Sequence, residues 1–278
     1  MAEECVAYLW TTCSSPLVRD ALGWRSANDD LQKLQMPRVK HFAEFFCGTG
    51  GLVAEVDRRG LRCSWFDLVV DDRHNLLTPK GFAMAIEMAM AIVPNGMAWF
   101  GVPCSTFVWI SRGHTKRSRA TPLGDELRSD VRNANRIVRR VLVILNILVR
   151  RSVFFIIEQP AGSLLWRMPG VRRIARSVRI KNLKWQRRFM WLGHYGHRIA
   201  KPSELQGIFP DLQNCLPSDR PPKKSSIGIY KIWRGATGKK RVCGCRGLKT
   251  TEHYPDQFCK AVASLVQRLH PERAAVPH

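Results

Sequence analysis

His41-Phe42-Ala43-Glu44-Phe45-Phe46-Cys47-Gly48-Thr49-Gly50-Gly51 is a short apolar and aromatic run that breaks on three glycines. A buried strand turning sharply into a helix has this pattern. The next residues, Leu52 to Arg59, read as that helix, Gly60 stops it, and Arg62 to Leu68 read as a second strand. Strand, glycine turn, helix, strand is the unit from which parallel sheets are built, because parallel neighbours need a crossover between them.

The order repeats downstream. Residues 79–93 suggest a helix, 96–102 a buried strand, 126–151 a long helix that is apolar almost all round from Val141 to Val149, and 153–158 another buried strand. The expected fold is therefore α/β, with a mostly parallel sheet covered on both faces. Four segments are expected: a leader over 1–37, a cofactor-binding and catalytic core over 38–164, a small basic recognition lobe over 165–248, and a C-terminal helix within 249–278 that returns to the core.

Lys and Arg number 45 against 22 Asp and Glu, a formal charge of +23 over 278 residues, which points to a polyanionic partner and first of all to nucleic acid. No apolar run approaches the roughly 20 residues that cross a bilayer, and no cationic leader precedes an apolar stretch, so no membrane role is expected. The nine cysteines are odd in number and scattered, which suits reduced thiols in an intracellular protein better than a disulfide framework. With such a charge, a nuclear or nucleoid-associated location is expected.

The glycine turn does not end in Gly-Lys-Ser or Gly-Lys-Thr, as a phosphate-binding loop would, and it lacks the third glycine of a dinucleotide fingerprint. Asp67 follows at about 20 residues, where a carboxylate can accept the hydroxyls of a ribose. Gly48, Gly50, Gly51 and Asp67 together suggest an adenosyl cofactor with no pyrophosphate to cradle.

Two further strand ends carry chemistry. Met97 to Val102 runs into Pro103-Cys104-Ser105-Thr106-Phe107, and Val153 to Ile157 runs into Glu158-Gln159-Pro160. In a parallel sheet both would open at the carboxyl edge, where ligand sites gather. Cys104 can add to C6 of a pyrimidine and make C5 nucleophilic, while a carboxyl group of Glu158 at N3 disperses the charge that develops. A buried structural thiol and a strand-end ion pair are the plainer readings of the two residues taken singly.

With these motifs in this order, the sequence resembles the C5-cytosine methyltransferase family. The carrying residues are Glu44 to Gly51, Gly101 to Phe107 and Glu158-Gln159-Pro160, with Gln159 standing where the family has asparagine; Tyr254-Pro255-Asp256-Gln257-Phe258-Cys259 matches more faintly. The resemblance implies a Rossmann-like methyltransferase fold, S-adenosyl-L-methionine as donor, cytosine in DNA as acceptor, and extrusion of the target base from its stack. It also implies that Phe46, Pro103 and a residue of the 71–75 loop, with Asn75 one choice beside Asp71 and Asp72, join the cofactor site. A catalytically silent nucleic-acid-binding relative and an RNA cytosine methyltransferase remain open beside the DNA enzyme.

For the nucleic acid, Arg112 and His114 follow the Cys104 motif, and Gln186-Arg187-Arg188 is the nearest counterpart of the family's arginine motif. Trp185, Trp191, Tyr195 and Trp233 interleave with Arg187, Arg188, Arg198, Lys231 and Arg234, a mixture able to stack bases and hold phosphates. Cys243-Gly244-Cys245 has too short a gap for an ordinary zinc site, and no metal is expected.

Overall fold

A computed structural model describes residues 38–216, 220–222, 230–234, 238, 240–244 and 252–273, with only the backbone at 230, 240–244 and 273. The leader expected over 1–37, and Cys245 of the cysteine pair, lie outside the described residues.

The quoted stretch forms β1 (Lys40–Phe45), α1 (Gly51–Asp57) and β2 (Cys63–Phe66). Then come α2 (Pro79–Met90), β3 (Ile92–Phe100), the single turn α3 (Arg112–Thr115), α4 (Ser129–Arg150), β4 (Phe154–Pro160) and α5 (Pro169–Ser177). The two-residue strands β5 (Arg179–Ile180) and β6 (Leu183–Lys184) pair with each other, followed by β7 (Gln186–Trp191) and β8 (Pro202–Ile208). A hairpin of β9 (Tyr230–Arg234) and β10 (Lys240–Gly244) precedes α6 (Asp256–Leu269).

Six strands make one sheet in the order β2-β1-β3-β4-β8-β7. The first four are parallel; β8 runs against β4, and β7 against β8. The sheet therefore extends beyond the expected core. Two strands of the stretch read as a separate basic lobe complete the main sheet, and among the described residues of that stretch only β5–β6 and the β9–β10 hairpin pair apart from it. Alternation on β7 is masked by arginines at Arg187 and Arg188, which is why the strand does not stand out by hydrophobic pattern.

The chain leaves β1 toward β2 on one side and returns past it to β3 on the other, so the strand order reverses between β1 and β3. Right-handed crossovers then put α1 on one face and α2 and α4 on the other. The packing agrees: α1 lies against α6, and α2 against α4. Arg59 ties the first pair through Ser264, Gln267 and the Lys260 carbonyl. The core between the layers is aromatic, with Phe45 stacked on Phe100 at 4.6 Å and Trp99 fully buried against Phe258 of α6.

The long helix starts three residues later than the pattern suggests, because Glu126 and Leu127 belong to the turn before it. Among the described residues no helix is long and apolar enough to cross a membrane.

Candidate active site

In an open α/β sheet, ligands collect outside the carboxyl ends of the strands at the point where strand order reverses. Here that crevice lies between the ends of β1 and β3, so Phe46 to Gly51 form one wall and Gly101 to Cys104 the other. The walls touch: the Gly101 N–H donates to the Phe45 carbonyl at 3.0 Å. A Cβ at Gly101 would lie 3.1 Å from the Phe46 carbonyl oxygen and 3.3 Å from the Tyr254 hydroxyl, so only a glycine sits there without displacing them.

The glycine turn is left-handed at Phe46 (φ 63°), Gly48 (φ 54°) and Gly50 (φ 70°). At Gly48 and Gly50 nothing stands within 4 Å of where a Cβ would be, so the turn faces open space with bare backbone. Asp67 holds it: its Oδ2 accepts the Gly48 N–H at 2.8 Å and its Oδ1 the Val69 N–H at 2.7 Å. Beneath the turn lies a residue that the sequence reading passed over. Glu44 is fully buried, and its Oε2 accepts the Val53 N–H at 3.2 Å, which caps the first turn of α1. Its Oε1 makes no hydrogen bond among the described residues, and burial, reinforced by the charge of Asp67, raises its pKa to about 8.

Asn75 ends a 3-10 turn (Asp72–His74) and uses its own Oδ1 to accept the Leu77 N–H at 2.9 Å. The loop is fixed from the far side by Arg140 of α4, a buried guanidinium that donates to the carbonyls of Leu76 and Thr78. Asp71 is engaged by Arg73 and Asp72 is exposed. Beyond Asp67, Leu68 and Val69 are exposed apolar residues at the rim.

Cys104 is half-buried, beside the exposed Pro103. Desolvation, then the nearby charge of Glu158, pushes its thiol up to about 11, while Lys201 opposes the shift. Glu158 sits at the end of β4 with its carboxylate held at both oxygens: Ser203 Oγ donates to Oε1 at 2.7 Å and the Tyr254 hydroxyl to Oε2 at 3.3 Å. Tyr254 in turn accepts from Trp99 Nε1 at 3.1 Å. Neither Ser203 nor Tyr254 is marked by pattern, since a partner 45 or 96 residues distant leaves no local signal.

Gln159, the departure from the family's asparagine, is fully buried and satisfied: its Nε2 donates to the Val102 carbonyl and its Oε1 accepts from Ser163 Oγ at 2.8 Å. It therefore clamps the end of β3 two residues before Cys104. The loop after Cys104 is clamped by Arg117, which is 2% exposed. Its guanidinium donates to the Pro122 carbonyl, Thr106 Oγ1 at 3.3 Å and Asn135 Oδ1 at 2.9 Å, and lies 4.1 Å from the centre of the Phe107 ring.

The structure thus brings Phe46, Gly48, Gly50, Gly51, Asp67, Pro103, Cys104 and Glu158 to one edge. The arginine pair is a different matter. Arg187 and Arg188 are on β7, two strands beyond Glu158, and Arg187 is taken up by a two-point ion pair with the buried Glu204. Arg112 is exposed on α3. No group of His, Cys, Asp and Glu able to hold a metal ion occurs among the described residues. Against known proteins, the sequence matches no protein-family model, and no curated protein matches it.

Proposed function

We propose that the chain is an S-adenosyl-L-methionine-dependent methyltransferase acting on C5 of cytosine in DNA, with Cys104 as the attacking thiol. The observation that carries this reading is the convergence at one sheet edge of a thiol and a doubly held carboxylate beside an open glycine turn. The sheet, mixed and mostly parallel with its order reversing at that turn, is compatible with a Rossmann-like methyltransferase.

The residues present suit the cofactor. Bare backbone at Gly48 and Gly50 allows close approach, Asp67 offers a carboxylate for ribose hydroxyls, and Leu68 and Val69 offer an apolar rim for a purine face. The carboxylate of Asp67 also favours a cationic ligand, and the donor's sulfonium is one. When bound, the donor supplies the methyl group.

Cys104 Sγ, as thiolate, forms a bond to cytosine C6, and the C5–C6 π pair becomes available at C5. Glu158 faces N3 and stabilises the charge placed on the ring. C5 takes the donor's methyl group, the C5 proton leaves to a base, and the Sγ–C6 bond breaks to restore the double bond and free the thiolate. A thiol raised to about 11 is held back in the free protein, partly by the charge of Glu158. Pairing that charge with the base would release it, so that activation follows binding.

The test is a duplex carrying 5-fluorocytosine, which cannot lose a proton from C5. With the cofactor present, the wild-type chain should form an adduct that survives denaturing gel electrophoresis, and Cys104→Ala should form none. No adduct from any duplex or RNA, together with no calorimetric binding of S-adenosyl-L-methionine at high micromolar concentration, would favour a silent nucleic-acid-binding relative instead. Residence in the nucleus or nucleoid would follow from a DNA substrate.

A further inference from the structure

Two stretches of this chain contain no acidic residue: 105–124, with three arginines and one lysine, and 220–251, with ten lysines and arginines. The fold brings them together, because β10 of the hairpin lies against the Trp109–Ser111 turn, a few residues past Cys104. On β9, Lys231, Ile232, Trp233 and Arg234 are all exposed. Trp233 is 46% exposed and Trp109 47%.

Indoles so exposed, set among cations with no carboxylate nearby in sequence, are the ingredients of a base-stacking platform with phosphate contacts. Two other aromatic residues of the basic half are engaged elsewhere. Trp185 donates to Gln206 Oε1 and packs on Phe155, and Tyr195 packs on Phe258. Trp233 on the hairpin and Trp109 on the turn are the exposed indoles that lie within these two acid-free stretches.

We infer that the β9–β10 hairpin and the Trp109–Arg112 turn form a binding surface for single-stranded nucleic acid, with base faces on Trp233 and Trp109 and phosphates on Lys231, Arg234 and Arg112. This deepens the reading of Cys104 as acting on nucleic acid and rests on it for the partner's class. Unpaired bases are the fitting occupant because a duplex hides its base faces and would engage the cations alone. The Trp109–Arg112 turn begins five residues after the thiol in the chain, so a strand lying on this surface would approach Cys104 with its bases already unstacked.

The experiment is fluorescence anisotropy of labelled 12-nucleotide single strands and the matching duplex with the full chain, at two salt concentrations. The single strand should bind more tightly and quench tryptophan emission. Trp233→Ala should weaken it by roughly 5- to 100-fold, Trp233→Phe should recover much of the loss, and circular dichroism of both should match wild type. Lys231→Ala should lower the slope of log affinity against log salt by about 0.7. Unchanged binding by Trp233→Ala, or tighter binding of the duplex, would overturn the inference. The fluorocytosine adduct, measured on wild type and Trp233→Ala, separates the two readings: binding with the Trp233 dependence intact but no adduct from wild type sinks only the methyl transfer, whereas adduct formation indifferent to Trp233 sinks only the surface.

Discussion

The turn after β1 and the loop after β3 leave the sheet side by side, yet opposite charges hold them. Carboxyl groups hold the first: Asp67 takes the Gly48 N–H and Glu44, which burial keeps protonated near neutral pH, takes the Val53 N–H. A cation and an amide hold the second: Arg117 donates to a carbonyl, a hydroxyl and an amide oxygen, and Gln159 donates to the Val102 carbonyl. The start of a helix leaves N–H groups unpaired and calls for acceptors, whereas a long loop leaves carbonyls unpaired and calls for donors. The same local needs put a carboxylate under the first wall and a guanidinium under the second.

Removing the cation should have the largest effect. Arg117→Ala leaves the Pro122 carbonyl, Thr106 and Asn135 without their donor inside a packed layer, and opens a cavity beside Phe107. A loss of about 3–5 kcal/mol of stability is expected, read as a fall in the urea midpoint at unchanged slope. A loss under about 1 kcal/mol would mean that the loop is held by something else.

Glu158→Gln separates the chemistry of the second wall from its electrostatics, because two readouts should move in opposite directions. Methyl transfer should fall by about 100-fold or more. Alkylation of Cys104 by iodoacetamide at pH 8 should speed up, because the charge that helps hold the thiol near 11 is gone. Peptide mapping confirms the site. Slower alkylation would show that Glu158 does not face Cys104 as described. On the first wall, Asp67→Asn keeps an acceptor for Gly48 but removes its charge. It should cost about 1 kcal/mol of stability and weaken binding of S-adenosylhomocysteine by about 10-fold in calorimetry.

How much of this could be read from residues alone differs between the walls. The glycine turn is legible because backbone need is local: positive φ at Gly48 and Gly50 follows from the glycines themselves. Cys104 and Glu158 are legible because each ends a short apolar run. Their supports are not. Ser203 and Tyr254 reach Glu158 from other segments, and Arg117 reads from sequence as one more surface arginine in a basic loop, since nothing local distinguishes a buried guanidinium. For the same reason Arg187 and Arg188 read as phosphate contacts, although Arg187 is engaged by Glu204 across β7 and β8.

The last effect belongs to Glu44, and it depends on pH. Its carboxyl in the folded chain titrates near 8 against an ordinary 4.5, because burial disfavours the charged form and the charge of Asp67 adds to this. From about pH 4.5 to 8 the folded chain keeps this proton and the unfolded chain releases it, so stability falls as pH rises through that window and levels off above it. Glu44→Gln keeps an acceptor for the Val53 N–H and has nothing to ionise. It should melt close to wild type at pH 5 and gain on it steadily up to pH 8. A constant difference from pH 5 to 8 would mean that Glu44 is ionised throughout. The first wall would then carry its second negative charge before any ligand binds, and attraction of a cationic donor would no longer depend on pH.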